Sequence, residues 1–161
     1  MNKQEILNTY VERRNKLNPY QEPSGVEWEW AKRLDMNEFS IEINKFPYKK
    51  DLLYGILDYT GNLDDFFDKD KRFNRDCDNF ARAWCVWAKN NGYSFQEYVV
   101  TTKENLFNDA HVIAVIWEKD KYYLCNYECY GPYASEQEGL KYMKQWDRYS
   151  KGFIYAKGIS Q

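Results

Sequence analysis

The feature that most restricts the fold is a short uncharged apolar run, VIAVIW, at residues 112–117. It is the longest such run in the chain, yet it is far too short to cross a bilayer, which takes about 20 apolar residues. A run of this length and composition is typical of a central β-strand. We therefore predict a β-sheet built around this strand.

The flanking patterns predict helices before the sheet and one more helix within it. Apolar residues at spacings of three and four, together with two capping-box patterns (Ser24 with Glu27, Ser135 with Glu138), predict five helices. These helices span 3–16, 24–34, 48–59, 77–90 and 135–146. Strand patterns cover 94–102, 110–118, 121–128 and 152–158, and the KDK link after the second favours an antiparallel hairpin. This order predicts an α+β fold, with a helix beginning at Cys77 or Asp78 packed on an antiparallel sheet.

Length and charge restrict the organisation and the class of partner. A chain of 161 residues suits one domain with its own core, and we divide it into a helical N-terminal extension (1–46) and a core (47–161). The net charge is −2, and no basic stripe suggests a nucleic-acid partner. The N-terminus has no apolar signal region, so we expect a cytoplasmic protein that does not bind membranes.

The cysteines do not form a familiar metal or disulfide pattern. The four cysteines (Cys77, Cys85, Cys125, Cys129) contain no CxxC pair, and the only histidine is His111. The usual zinc-ligand spacings are therefore absent. Without an export signal we also expect no disulfide.

Cys77 stands between two aspartates where a helix begins, a position with two explanations. The free N–H groups and dipole of a helix N-terminus favour a reactive thiolate. Asp76 and Asp78 oppose this, since nearby negative charge raises a thiol pKa, so a reactive Cys77 needs a cation. A cysteine on a helix is otherwise an ordinary core residue.

His111 is the only imidazole available to activate Cys77. It is the first residue of the predicted central strand, and at this end of the strand its side chain can meet a helix terminus. Asn126, on the next strand, can orient an imidazole through a hydrogen bond, which completes a Cys-His-Asn set. A histidine at a strand start is otherwise just a polar edge residue.

Two segments resemble a known family. RDCDNFARAWCVWAKNNGY (75–93) followed by DAHVIAVIWEKDKYYLCNY (109–127) resembles the transglutaminase-like cysteine proteinase superfamily, especially its bacterial cysteine proteinases. YGILDYTGNLDDFF (54–67) resembles their approach segment. The resemblance covers residues 54–127 and implies a papain-like core, with Cys77 as nucleophile and His111 as general base and acid.

The third catalytic position departs from the family pattern. The family has Asp in an L-D-N motif, and aligning on that motif places Cys125 there. Aligning on the transglutaminase spacing places Asn126 there, which we prefer because an amide can orient the imidazole. A neutral orienter stabilises imidazolium less than a carboxylate does.

The resemblance requires no cofactor but admits calcium. Some members bind it through acids at the positions of Asp76 and Asp78, and calcium takes six or more oxygen ligands. Further ligands would come from Asp64, Asp65 and Asp68. Alternatively, Asp76 caps the helix and Asp78 favours its N-terminus.

Two classes of function follow. The first is acyl transfer by Cys77, His111 and Asn126 on a protein or peptide, as a protease or amidase if water resolves the thioester and as a transglutaminase if an amine does. The second is an inactive relative that binds a partner protein, for example a viral or mobile-element accessory factor. The aromatic segment YYLCNYECYGPY (122–133) would line a substrate groove or pack on the last helix.

Overall fold

A computed structural model of the chain describes residues 2–47, 66–67, 75–106 and 108–161. Within these ranges there are five α-helices, five β-strands and two 3₁₀ turns. The helices are α1 (Lys3–Leu17), α2 (Val26–Ala31), α3 (Met36–Ile43), α4 (Cys77–Asn90) and α5 (Glu136–Tyr142). The strands are β1 (Ser94–Thr101), β2 (His111–Glu118), β3 (Lys121–Cys125), β4 (Cys129–Tyr133) and β5 (Ile154–Ser160), and the turns are Met143–Gln145 and Asp147–Tyr149.

The strands form one antiparallel sheet in the order β4-β3-β2-β1-β5, so the α+β prediction is confirmed. β2 lies at its centre, as the apolar run predicts. Alternate residues of β2 enter two different cores: Val112 and Ala114 belong to the core under α4, whereas Ile113 and Val115 belong to the core under α5. Both faces of β2 are covered, which explains why its sequence is continuously apolar.

α4 is the central helix and is buried from Cys77 to Ala88. It begins at Asp76, whose side chain accepts a hydrogen bond from the Asp78 N–H at 3.1 Å, while the Asn79 side chain accepts from the Asp76 N–H at 2.9 Å. This capping box fixes the helix start. One side of α4 packs on β1 and β2, and the other receives aromatic side chains from the N-terminal helices.

The N-terminal helices differ from the prediction of one helix from Ser24 to Leu34. α2 begins after Gly25 and ends at Ala31, without a side-chain cap. A separate α3 follows, opened by a capping box in which the Asp35 carboxylate accepts from the Glu38 N–H at 2.8 Å. The stronger cap is therefore at Asp35. The predicted helix over 48–59 lies outside the described residues.

The sheet also contains a strand that we did not predict. The predicted strand 121–128 ends at Cys125, where the chain turns: the Asn126 N–H donates to the Glu128 carbonyl at 2.9 Å. β4 then runs back beside β3 at the edge of the sheet. Its sequence, CYGPY, contains glycine and proline, which strand propensities disfavour except at such an edge.

No helix in the described ranges is both long enough and apolar enough to serve as a transmembrane span.

Candidate functional site

The candidate site lies at the end of the central strand, where α4 and β2 begin. Cys77 occupies the first position of α4 and is 7% exposed, packed in the core on the α4 side of the sheet. His111 occupies the first position of β2 and is half-buried. The two predicted reactive side chains therefore start two neighbouring elements.

Asn126 joins these two elements. Its side-chain N–H groups donate to the Cys77 carbonyl at 2.9 Å and to the Val112 carbonyl at 2.5 Å, and its Oδ1 accepts from the Tyr127 N–H at 2.8 Å. Both amide hydrogens are thereby used on backbone oxygens. Among the described residues no hydrogen bond joins Asn126 to His111. The structure therefore gives Asn126 a positioning contact, and its orienting role towards His111 stays a prediction.

The thiol of Cys77 is in a setting that keeps it protonated. Burial raises its pKa above the ordinary value, and the carboxylates of Asp78 and Asp76 raise it further. A hydrogen bond from the Val112 backbone and the charge of Arg14 act in the opposite direction but are outweighed. Cys77 is thus a neutral thiol at pH 7.

His111 is also neutral in this structure. Burial, followed by the positive charge of Arg148, lowers its pKa to about 4. Its ring lies edge-on to Trp146, with the ring centroids 6.1 Å apart. A neutral imidazole can accept a proton at pH 7, but it does not supply the positive charge that would stabilise a Cys77 thiolate.

The side chains of His111 and Cys77 do not share a hydrogen bond in the described structure. Strand alternation explains why: His111 is two residues from Ile113, which faces the core under α5, whereas Cys77 packs with Val112 in the core under α4. The pair can approach each other only around the strand end. The catalytic assignment of Cys77, His111 and Asn126 therefore remains a prediction.

A cavity of about 180 Å³ opens beside His111. Asn126 also lines it, but Cys77 is not among the described residues that do. The other lining residues are mostly apolar or aromatic and come from β2, β3, the turn into β4 and the segment after α5: Ile113, Leu124, Cys125, Tyr127, Glu128, Tyr130 and Trp146. The aromatic segment predicted to line a groove or to pack on the last helix does both, since Tyr133 also contacts Tyr142 with centroids 5.6 Å apart.

A buried cation that the sequence analysis did not single out bonds the first turn of α4. Arg14 donates through Nε and Nη2 to Oδ1 of Asp78, at 3.0 and 2.6 Å, and through Nη1 to Oε1 of Glu97 at 2.5 Å. Arg82 donates to the same Glu97 through Nε at 3.2 Å. A signal for Arg14 existed, because it continues the buried face of α1 formed by Leu7 and Val11.

The two carboxylates of this buried cluster respond differently to it. Burial would raise the pKa of Glu97, but Arg14 and Arg82 lower it to about 2. Burial raises the pKa of Asp78, and Arg14 offsets only part of that effect. Two arginines bond the Glu97 carboxylate, whereas among the described side chains Arg14 alone bonds the Asp78 carboxylate, so Glu97 is the more firmly ionised group.

The acids proposed as calcium ligands have other partners here. Asp76 caps α4, as the alternative has it, and Asp78 lies in the first turn of α4 and forms a salt bridge with Arg14. Within the described ranges no group of three or more His, Cys, Asp or Glu side chains is placed to hold a metal ion. Asp64, Asp65 and Asp68 lie outside the described residues, so calcium binding stays a prediction.

The expectation that the chain has no disulfide is wrong for this structure. Cys125 and Cys129 face each other across β3 and β4 and are joined by a disulfide. The spacing of the cysteines in the sequence did not show that the β3–β4 turn brings these two residues opposite each other. The disulfide also occupies the sulfur of Cys125, so Cys125 cannot replace the family's aspartate by hydrogen-bonding His111.

No protein-family model matches the chain, and no curated protein or solved structure matches it either.

We expect Asn126→Asp to destabilise the protein by about 2–4 kcal/mol, because the carboxylate has no hydrogen to donate to the carbonyl oxygens of Cys77 and Val112. The measurement is the free energy of unfolding in urea. Asn8→Asp is the matched control, since the exposed Asn8 side chain only accepts a bond from Gln4. Equal stability of the two variants would show that the Asn126 amide does not hold the site together.

Proposed function

We propose that the protein is a cysteine-dependent acyl-transfer enzyme with a transglutaminase-like, papain-like core, acting as a protease or amidase on protein or peptide substrates. The observation that carries the proposal is the Asn126 bridge. The amide of the third predicted residue bonds both a helix that begins with cysteine and a central strand that begins with histidine, close to where each of them begins. The resemblance of residues 54–127 supplies the chemistry.

The reaction would begin from a neutral pair. Sγ of Cys77 attacks the substrate carbonyl while its proton passes to the imidazole of His111. The imidazolium then protonates the leaving amine, which leaves a thioester on Cys77. Water resolves the thioester with His111 as general base, releasing the acid and restoring the thiol. The backbone N–H of Cys77, at the helix N-terminus, is available to stabilise the oxyanion.

The pKa shifts decide which resting state is populated. Each unit by which the thiol pKa exceeds the imidazole pKa costs about 1.4 kcal/mol in forming thiolate and imidazolium. Because the Cys77 pKa is raised and that of His111 is lowered, the free protein does not hold an ion pair. Proton transfer therefore has to occur together with attack on a bound substrate.

A second candidate, a binding protein without turnover, is favoured by a different observation. The cavity is lined by His111 and Asn126 but not by Cys77, among the described residues, and Cys77 is buried. A partner could occupy the cavity without meeting the thiol. An acyl-transfer enzyme becomes acylated on Cys77 by a reactive ester, whereas a binding protein without turnover does not, so acylation distinguishes the two functions.

The test is to incubate the protein with p-nitrophenyl acetate and locate the acetyl group by peptide mass mapping. We expect transient acetylation of Cys77, lost in Cys77→Ala and slowed about 100-fold or more in His111→Ala, the usual range for removing a general base. Cys85→Ala is the matched control, since Cys85 is a buried free thiol on the same helix. If Cys77 is not acetylated, or if it is acetylated at the same rate in wild type and His111→Ala, the acyl-transfer proposal is wrong and the protein is better described as a binding protein.

A further inference from the structure

An aromatic ridge separates the His111 cavity from a second cavity. The ridge consists of Tyr130, Tyr133, Tyr142 and Trp146, which contact one another: the centroid distance is 5.5 Å from Tyr130 to Tyr142 and 6.2 Å from Tyr130 to Trp146. Its residues come from β4 at the sheet edge and from α5 and the turn after it. Tyr130 and Trp146 also line the His111 cavity, and Tyr133 and Tyr142 line the second one.

The size of the His111 cavity suits one side chain rather than a whole small-molecule ligand. Its volume is about 180 Å³, whereas pockets for drug-sized ligands are typically about 300–1,000 Å³. Ile113, Leu124 and Trp146 give it an apolar wall. An aromatic or large aliphatic side chain from a polypeptide is the occupant that this lining favours.

The second cavity is wider and carries positive charge. Its volume is about 500 Å³, and Lys141 and Lys144 stand on its wall beside Tyr142. Both lysines are exposed, and no salt bridge within the described ranges engages either of them. Glu138, the one acid among the described lining residues, accepts a hydrogen bond from the Ala134 N–H at 3.3 Å. The side of the ridge away from His111 therefore attracts carboxylates.

We propose that the aromatic ridge is the docking surface for an acidic segment of a protein substrate. An apolar side chain of that segment enters the His111 cavity, and acidic residues next to it lie over Tyr142 against Lys141 and Lys144. The assignment of this segment as substrate rests on the proposed acyl-transfer function. Charge complementarity favours an acidic segment, because Lys141 and Lys144 beside the ridge form no salt bridge among the described residues.

Binding can be measured without turnover by using the Cys77→Ala variant and fluorescence polarisation. The probes are three fluorescein-labelled peptides of equal length: Phe followed by a run of Glu, Phe followed by a run of Gln, and Ala followed by the same run of Glu. We expect the Phe-Glu peptide to bind about tenfold more tightly than either of the others at low salt. Its advantage over the Phe-Gln peptide shrinks as salt is added, because exposed charges are screened.

Lys144→Glu, made in the same Cys77→Ala background, tests the cationic side directly. This substitution is expected to lower the affinity for the Phe-Glu peptide about tenfold and to leave the affinity for the Phe-Gln peptide nearly unchanged. Lys16→Glu, which makes the same charge change at an exposed position of α1, is the matched control and should have no such effect.

Equal affinity for the Glu and Gln peptides, or equal effects of Lys144→Glu and Lys16→Glu, overturns the docking proposal. The two proposals fail separately. If Cys77 is acetylated but peptide binding does not depend on charge, only the docking proposal is wrong. If peptide binding depends on charge but Cys77 is not acetylated, the docking surface is supported and its assignment as a substrate site is wrong.

Discussion

Arg14→Ala is expected to destabilise the protein by about 3–5 kcal/mol, the usual cost of removing one partner from a buried ion pair. Among the described contacts, Arg14 is the only residue that forms a salt bridge with the Asp78 carboxylate and one of two that form one with Glu97. All of these side chains are nearly inaccessible to water. Its removal leaves Glu97 with Arg82 alone and takes the salt-bridge partner from Asp78, which lies in the first turn of the helix that carries Cys77.

The free energy of unfolding in urea, followed by circular dichroism, gives the measurement. Arg13→Ala is the control, since Arg13 is the adjacent residue on α1 and is exposed. The double variant Arg14→Met with Asp78→Asn should be more stable to unfolding than Arg14→Ala, because it removes one charge of each sign. Ordinary surface substitutions change the free energy of unfolding by about 0.5 kcal/mol. If the unfolding free energies of Arg14→Ala and Arg13→Ala differ by no more than this, the cluster has no structural role.

Trp84→Ala should cost a similar amount, about 3–5 kcal/mol, through a cavity in the core. The Trp84 ring is fully buried, with centroids 4.9 Å from Phe39 and 5.5 Å from Trp87. Its Nε1–H donates to the backbone carbonyl of Asn126 at 2.7 Å. The substitution therefore removes packing between α3 and α4 and also a bond that fixes the Asn126 segment.

Two further variants separate these effects. Trp84→Phe keeps most of the ring but loses the donor, so it should cost about 1–3 kcal/mol, the usual penalty for a buried acceptor left without a partner. Trp30→Ala, at a tryptophan that is 54% exposed, should change the unfolding free energy little. A Trp84→Ala protein as stable as Trp30→Ala would mean that this core does not depend on the ring.

Features of the fold with a local chemical signal could be predicted from the sequence. The apolar run at residues 112–117 predicted the central strand, and the Asp76 position predicted the start of α4. Both signals involve residues close in sequence: side-chain alternation in one case and a helix cap in the other. The antiparallel pairing of β2 and β3 followed from their short link.

Features that depend on competition between local signals were not predicted. Two capping patterns, Ser24 with Glu27 and Asp35 with Glu38, lie close together. The second forms reciprocal cap bonds that open α3, whereas α2 begins after Gly25. β4 was missed because glycine and proline are poor strand residues, although they are tolerated at a sheet edge.

At the candidate site, the sequence indicated that Cys77 begins a helix and that His111 begins a strand, but not which way their side chains point. The side-chain N–H groups of Asn126 bond the carbonyls of Cys77 and Val112, and its predicted bond to the imidazole stays a prediction. The buried partners of Arg14 are 64 and 83 residues away along the chain, beyond the reach of any periodic pattern. Only the tertiary structure shows that a charge on the buried face of α1 is neutralised there.

The contact between α1 and β5 has a consequence for the order in which the molecule can assemble. The first helix packs against the last strand, and the Gln4 side chain donates to the Tyr155 carbonyl at 2.9 Å. During synthesis α1 is made before β5, which follows about 150 positions later, so this contact can form only after β5 has been made. Until then the buried face of α1, which carries Leu7 and Val11, lacks its contact with β5.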